Sequence, residues 1–234
     1  MEIEIGIQQA QSSLGRRRVK ISHHLDDATL MARAAGALSE GMTLLVDSHL
    51  HWCKTCQTKA WEAECIGGEL LADIEPQAMS EGSLDSILGM LDGNEEIVAE
   101  RSVKIKGSAE VPEPLAQIVG SDLDAIEWKR LGPGVQHFDF NFPGEGACRL
   151  LRIQPGVSVP HHTHKGNELT MILRGSYSDD VGRFCQGDVA DLDEEIKHQP
   201  IVDTGSECIC LIATEAPLKF TGIMGRLAQP FIGL

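Results

Sequence analysis

The chain has 234 residues, of which 42% are hydrophobic and 24% are charged, a composition that fits a globular protein of one or two domains. Its formal net charge of −15 argues against direct binding of nucleic acid, because an acidic surface repels phosphates, and favours a basic protein partner. No apolar run approaches the roughly 18 residues of a membrane span, the N-terminal segment lacks the pattern of a signal peptide, and an odd number of seven cysteines favours a reducing compartment, so we expect a cytoplasmic protein without a membrane anchor.

The first part of the chain is predicted to be helical. Residues 1–20 are polar and end in three arginines, which indicates a disordered tail. From Asp26 to residue 40 the apolar residues recur at helical spacing, and Gly41 is predicted to break this helix. Further helices are expected over 42–50, over 57–71 with an end near Gly67 and Gly68, and over 83–93. Together they predict a small helical bundle over residues 21–92.

The periodicity changes in the second part of the chain. Residues 93–114 are charged, carry prolines at their end and show no sustained apolar period, so they are predicted to be a linker. From Leu115 the apolar residues alternate in short runs that glycine and proline separate, which is the pattern of an all-β module. The predicted fold is a multi-domain α plus β protein, with an N-terminal helical bundle and a C-terminal β-barrel over residues 115–234.

Most histidines of the chain fall into two groups with the spacing of metal ligands. The first group is His49-x3-Cys53-x2-Cys56, and spacings of four and three residues place these side chains on one face of a helix or helix–turn junction. Thiolates and imidazoles in a tetrahedral set suit zinc. His24, just before the first helix, is the best-placed fourth ligand. Four such ligands fill the zinc shell, so we expect a closed structural site that contributes on the order of 10 kcal/mol to folding.

Neighbouring residues leave alternatives at this first site. His23 and His51 lie close in sequence to the proposed ligands, and either could replace its neighbour. The two cysteines of the motif could instead be small buried residues, although a Cys-x2-Cys preceded by histidine at this distance is fairly specific for a metal. Cys65, in the third predicted helix, is expected to be a core residue.

The second group has the pattern G-x5-H-x-H-x3-E-x6-G over residues 156–175. This pattern resembles the first cupin motif at every spacing, and a later segment with His198 resembles the second cupin motif, although the turn before His198 departs from the usual residues. Alternation along a strand places His162 and His164 on the same face. Zinc, iron, manganese and nickel all suit imidazole and carboxylate donors. The ligands implied for a divalent metal are His162, His164, Glu168 and His198.

Cys208 and Cys210 lie in the apolar run CICLIAT. Alternation places both side chains on one face of a strand, where a disulfide between them is geometrically difficult. They could be two small core residues, or they could be redox-reactive thiols or accessory ligands near the second metal.

The two motifs occur together in one known family. Residues 21–92 resemble the zinc-binding anti-sigma domain of bacterial anti-sigma factors, and residues 21–234 resemble the ChrR family of anti-sigma factors, also in the runs AAGALSEG, SEGSL and ECICLIATEAPLKF. The resemblance implies that the helical domain sequesters an extracytoplasmic-function sigma factor and releases it under oxidative stress, singlet oxygen in particular. The metal-binding cupin domain would sense the oxidant, and the linker would pass the change to the helical domain. Charge agrees with a basic partner, since residues 21–92 hold twelve acidic and three basic side chains.

Two other functions are compatible with the same motifs. A cupin metalloenzyme, a dioxygenase or hydrolase with an accessory zinc module, is possible because four protein ligands leave two open positions on a six-coordinate metal. Substrate-specific residues are not evident in the sequence, however, and a helical partner-binding module is an unusual attachment, so we predict no enzymatic activity. A scaffold with two structural metals would bind its partner unchanged after replacement of Cys208 or His162.

Overall fold

A computed structural model describes residues 20–92, 104–144, 146–159, 162–163, 166–192, 199–215 and 219–220, with the backbone alone at 92, 162, 163, 219 and 220. The predicted tail lies outside the described residues, apart from Lys20. The described helices are α1 (Asp27–Ala34), α2 (Glu40–Trp52), α3 (Lys54–Ala72), α4 (Ser83–Asp92) and α5 (Glu113–Val119), and a 3-10 turn covers Leu123–Ala125. The described strands are β1 (Lys129–Gly132), β2 (Val135–Asp139), β3 (Ala147–Ile153), β4 (His162–Thr163), β5 (Glu168–Arg174), β6 (Ser176–Ser178), β7 (Arg183–Cys185), β8 (Val189–Leu192), β9 (Ile201–Val202), β10 (Cys208–Thr214) and β11 (Lys219–Phe220).

The strands form three antiparallel sheets. A six-stranded sheet has the order β1-β2-β3-β10-β5-β8, a three-stranded sheet has the order β7-β6-β9, and β4 pairs with β11. The longest predicted β-runs are confirmed, since they coincide with β2, β3, β5, β8 and β10. We call residues 20–92 the helical half and residues 104–220 the β half.

The boundary between the first two helices differs from the prediction. Asp26 does cap α1, because its side chain accepts a hydrogen bond of 2.6 Å from the Thr29 backbone N–H. The helix then ends at Ala34, and Gly36 follows with a φ of 66°, a left-handed conformation that glycine adopts without strain. Ser39 caps α2, so the predicted helix break at Gly41 is wrong. The Ser39 cap stabilises the start of α2 more than Gly41 in the first turn destabilises it.

The third helix is longer than predicted. It runs through Gly67 and Gly68 to Ala72, although glycine costs a helix roughly 1 kcal/mol relative to alanine. Cys65 is exposed, so its prediction as a core residue is wrong. Only one side of α3 is buried, at Cys56, Ala60 and Ala63.

The end of the predicted linker is packed against the sheet. Residues 93–103 lie outside the described residues, but Val111 is fully buried and α5 begins two residues later, where we expected no helix. The Arg174 guanidinium on β5 contacts Glu110 at 2.6 Å, Asp124 at 3.0 Å and Glu207 at 2.9 Å. These ion pairs fix residues 104–126 to the sheet, so this part of the predicted linker belongs to the β half. The predicted division into domains stays a prediction.

The six-stranded sheet is buried on both faces. On β10, Cys208 and Cys210 belong to an apolar cluster between the six-stranded and three-stranded sheets, whereas Ile209 and Leu211 belong to a second cluster on the opposite face. The second cluster also contains Leu45 and other residues of α1, α2 and α5. This second cluster is therefore an apolar core that both halves share, and α2 packs directly on the sheet.

Within the part of the chain that the structure describes, none of the helices combines the length and the apolar character that crossing a bilayer requires.

Candidate metal centre

Four side chains of the helical half converge at one point. His24 lies in the extended segment before α1, His49 in the last turn of α2, Cys53 at the junction of α2 with α3, and Cys56 in the first turn of α3. Each residue offers one nitrogen or sulfur atom as a possible metal ligand, and these four atoms all lie within 4.8 Å of one another. The four residues that the sequence predicts as zinc ligands are thus brought together by three separate elements.

The distances between donor atoms fit a tetrahedral zinc ion. The sulfur of Cys53 lies 3.2 Å from Nδ1 of His24, and the sulfur of Cys56 lies 3.3 Å from Nε2 of His49 and 3.6 Å from Nδ1 of His24. Zinc–sulfur and zinc–nitrogen bonds of about 2.3 and 2.1 Å at a tetrahedral angle separate the two donors by about 3.6 Å. The donor set and its spacing therefore fit zinc.

The Cys-x2-Cys motif adopts its geometry because Cys53 ends one helix and begins the next. Its backbone is extended, with φ −96° and ψ 106°, while its N–H still donates to the His49 carbonyl at the end of α2. The Cys53 sulfur then accepts a hydrogen bond of 3.5 Å from the Cys56 N–H, as a side chain at a helix N-cap does. This turn directs both sulfur atoms to the same side.

Burial controls the protonation of two of the donors. His49 is fully buried, and this desolvation lowers its pKa to about 4, so the imidazole is neutral and able to bind a metal at physiological pH. Burial raises the pKa of Cys56 to about 12, and the nearby Cys53 adds to the increase. A thiolate at Cys56 therefore requires a compensating cation, which zinc supplies when it is bound.

The alternative histidines lie elsewhere. The His23 ring packs on Phe184 of the β half at a centroid distance of 4.3 Å, and its Nδ1 lies 3.4 Å from a carboxylate oxygen of Asp188. His51 is exposed on α2. Neither ring belongs to the group of converging donors, so the geometry favours His24 and His49.

The second predicted site is described only in part. Glu168 opens β5 and is buried, with the Thr170 hydroxyl 3.5 Å from its Oε1. The backbone of His162 lies in β4, but its side chain, His164 and His198 lie outside the described residues. The ligand set of this site stays a prediction.

The two cysteines of β10 face the same interior as Glu168. Cys208 and Cys210 are buried, and Thr214 on the same face of β10 pairs with Glu168 of β5. The pKa of Cys210 is raised by its hydrogen bond with Cys208 and by burial, with a contribution from the Glu168 charge. The Cys210 thiol is therefore protonated, and both cysteines lie on the same face of the sheet as Glu168.

The contacts of the β half with the first site were not apparent from the sequence. The turn between β7 and β8 (residues 186–188, the β7–β8 turn) places Asp188 against Ser22 and His23, and places the Gly187 carbonyl 3.0 Å from Nδ1 of His49. No local pattern in the sequence relates Gly187 and Asp188 to residues 22–49.

The helical half also exposes a large apolar surface. On α3, α4 and the loop between them, ten apolar side chains are each between 47% and 77% exposed. We call this surface the α3–α4 apolar face; its residues are Ile66, Leu70, Leu71, Ile74, Met79, Leu84, Ile87, Leu88, Met90 and Leu91. Large exposed apolar patches are unusual on a monomer and mark interaction surfaces, so this face is the candidate partner-binding surface of the helical half.

Comparison with known proteins gave three findings. The family described as "ChrR Cupin-like domain" matches residues 116–217. The curated protein "Anti-sigma-E factor ChrR" from Cereibacter sphaeroides is 41% identical over 211 residues, which cover 90% of this chain and 98% of that protein. A chain in the crystal structure of Rhodobacter sphaeroides SigE in complex with the anti-sigma ChrR superposes with a TM-score of 0.71 and 40% identity, covering 83% of this chain and 99% of that chain.

Proposed function

Because the chain belongs to the ChrR family of anti-sigma factors, we propose that it is a transcription regulator that binds and sequesters an extracytoplasmic-function sigma factor through its helical half. Its role is regulatory rather than catalytic. The solved relative is a complex of the anti-sigma ChrR with SigE, and a sigma factor is accordingly the partner that we propose for this chain, in the cytoplasm.

The observation that carries this proposal is the α3–α4 apolar face. Burying apolar surface contributes roughly 25 cal/mol per Å², so covering these side chains with a partner would be strongly favourable. The apolar residues of α4 include the positions i, i+3, i+4 and i+7, which is the pattern of a helix that inserts into an apolar groove; they are Leu84, Ile87, Leu88 and Leu91. The charge of the helical half, with twelve acidic and three basic residues over 21–92, favours a basic groove rim and accelerates association at low salt.

Two metals complete the proposal. His24, His49, Cys53 and Cys56 would hold a structural zinc that fixes the directions of α1, α2 and α3. His162, His164, Glu168 and His198 would hold zinc or another divalent metal inside the β half, which we propose closes into a cupin barrel. Oxidation at that metal or at Cys208 and Cys210 would be the signal for release of the sigma factor.

Binding to the cognate extracytoplasmic-function sigma factor tests this proposal. Ile87→Glu places a charge in the α3–α4 apolar face, and we expect it to weaken the complex at least tenfold while the fold is retained. Ile118→Glu is the matched control, because Ile118 on α5 has the same exposed fraction of 50% but lies outside that face. Equal affinity of wild type and Ile87→Glu, or no complex with wild type, would refute the proposal.

A further inference from the structure

The β7–β8 turn holds the backbone that precedes His24. Asp188 is fully buried, and its Oδ1 accepts hydrogen bonds from the Ser22 N–H at 2.7 Å and the His23 N–H at 3.0 Å. Its Oδ2 accepts a hydrogen bond of 2.8 Å from the Cys185 N–H within the β half. A carboxylate of the β half thus determines where the chain enters the metal centre of the helical half.

The same turn orients a second ligand. The Gly187 carbonyl can only accept, so Nδ1 of His49, 3.0 Å away, must carry the ring proton. Nε2 is then the nitrogen that faces Cys56 and can bind a metal. Gly187 has a φ of 88°, a left-handed conformation that favours glycine and directs this carbonyl toward α2. Groups that hydrogen-bond the outer nitrogen of a ligating histidine fix its tautomer and ring orientation.

The packing of α2 keeps these contacts in place. Gly41, at the start of α2, lies so close to β3 that a Cβ atom at this position would be 2.7 Å from Cβ of Cys148. Further along the helix, Met42, Leu45 and Val46 are buried in the core that spans both halves. His49 therefore cannot move relative to Gly187 unless α2 moves on the sheet.

We propose that Gly187 and Asp188 are positioning residues for the metal site of the helical half, so that the β half controls how firmly that site holds its metal. The proposal rests on the helical metal site of the proposed function and adds a route of regulation to it. A change inside the β half would reach His24 and His49 through the β7–β8 turn, and it would not need the connection over residues 93–103.

Cobalt exchange in the full-length protein tests this proposal. Cobalt(II) bound by Cys53 and Cys56 gives a thiolate charge-transfer absorption, and the rate at which EDTA removes this band measures metal retention at the helical site alone. In Asp188→Asn the amide nitrogen must face a backbone N–H in either orientation, because both carboxylate oxygens accept from backbone donors. We expect 10- to 100-fold faster loss of the band, the range found when such outer partners are removed, and a shifted d–d spectrum. Asp203→Asn, a carboxylate that bonds Ser176 and Arg183 within the β half, should behave as wild type.

A second pair of variants tests the packing of α2 on the sheet, at the end of the helix opposite His49. Gly41→Ala should also accelerate cobalt loss, because the added methyl group displaces α2 from β3. Gly67→Ala is its control, since a Cβ there meets nothing within 4 Å. If Asp188→Asn fails to fold, this pair still tests whether the contact between α2 and the β half controls metal retention.

The outcomes separate the two proposals. Wild-type protein without a cobalt–thiolate band would refute the helical metal site itself. A wild-type band that Gly41→Ala and folded Asp188→Asn lose no faster than their controls would refute the positioning role alone and would leave sigma binding unaffected.

Discussion

Replacing Leu45 with alanine should weaken both halves of the protein together. Leu45 lies in the middle of α2, is 0% exposed, and belongs to the apolar core that α1, α2 and α5 form with β3, β5 and β10. A helix alone could relax into the space left by the missing atoms. A sheet packed on its other face as well has little freedom to do so, so most of the cavity should remain.

The magnitude follows from this geometry. Buried leucine-to-alanine changes cost about 2–5 kcal/mol, and the cost grows with the residual cavity. For a site with neighbours on both sides we expect about 3–4 kcal/mol. With a urea m-value of about 2–3 kcal/mol/M, the unfolding midpoint should fall by about 1–2 M.

Two probes, one for each half, should show the same lowered unfolding midpoint in urea. Far-ultraviolet circular dichroism follows the helices, and in a Trp52→Phe, Trp61→Phe background the fluorescence of Trp128 follows the β half, where its ring N–H donates to the Leu123 carbonyl. Leu70→Ala is the control, because Leu70 is 65% exposed and its truncation should cost less than about 0.5 kcal/mol. If the Trp128 transition kept its original midpoint while the helical signal shifted, the halves would not share a core and the reasoning would be wrong.

Three further predictions concern the metal sites. Burial lowers the pKa of His49 to about 4, so the folded metal-free protein binds this proton less readily than the unfolded chain. Its free energy of unfolding should be unaffected by His49 above pH 6.5 and should fall by about 3 kcal/mol as the pH falls from 6.5 toward 4. Urea midpoints that do not change over this range would contradict the burial argument. Cys53→Ala should abolish both the helical zinc, measured by elemental analysis, and sigma binding, whereas Cys65→Ala should retain both; a zinc-free variant that still binds would remove the structural role. His162→Ala should bind the sigma factor normally but fail to release it after singlet oxygen exposure in a transcription assay, and release equal to wild type would exclude the second metal as sensor.

The sequence predicted the elements whose signal is local. The runs around β3, β5 and β10 are long and apolar, and the cap at Asp26 is a short-range hydrogen bond, so both could be predicted from neighbouring residues. The end of α1 at Ala34 could not, because Ser39 and Gly36 compete with a helical period that continues through Leu38. Helix α5 was missed because seven residues with proline near their start carry little periodic signal; it is held by burial of Leu115 against α2 and the sheet.

The convergence of three of the four candidate zinc ligands was predictable because their spacing is a property of one chain segment. The spacing of His49, Cys53 and Cys56 suits a helix–turn junction. The choices of His24 over His23 and of His49 over His51 depended on tertiary structure, since the His23 ring packs on Phe184 and His51 is exposed. The contacts of Gly187 and Asp188 with residues 22–49 join positions more than 130 apart in sequence, and no local pattern indicates them.

The central claim is that the helical half, and α4 in particular, is the surface that binds a sigma factor. Hydrogen–deuterium exchange of the full-length zinc-loaded chain, alone and with its sigma factor, tests this most directly. We predict protection concentrated in residues 66–92, with little change in β3, β5 and β10. Protection confined to the β half, or none in the helical half of a demonstrated complex, would contradict it.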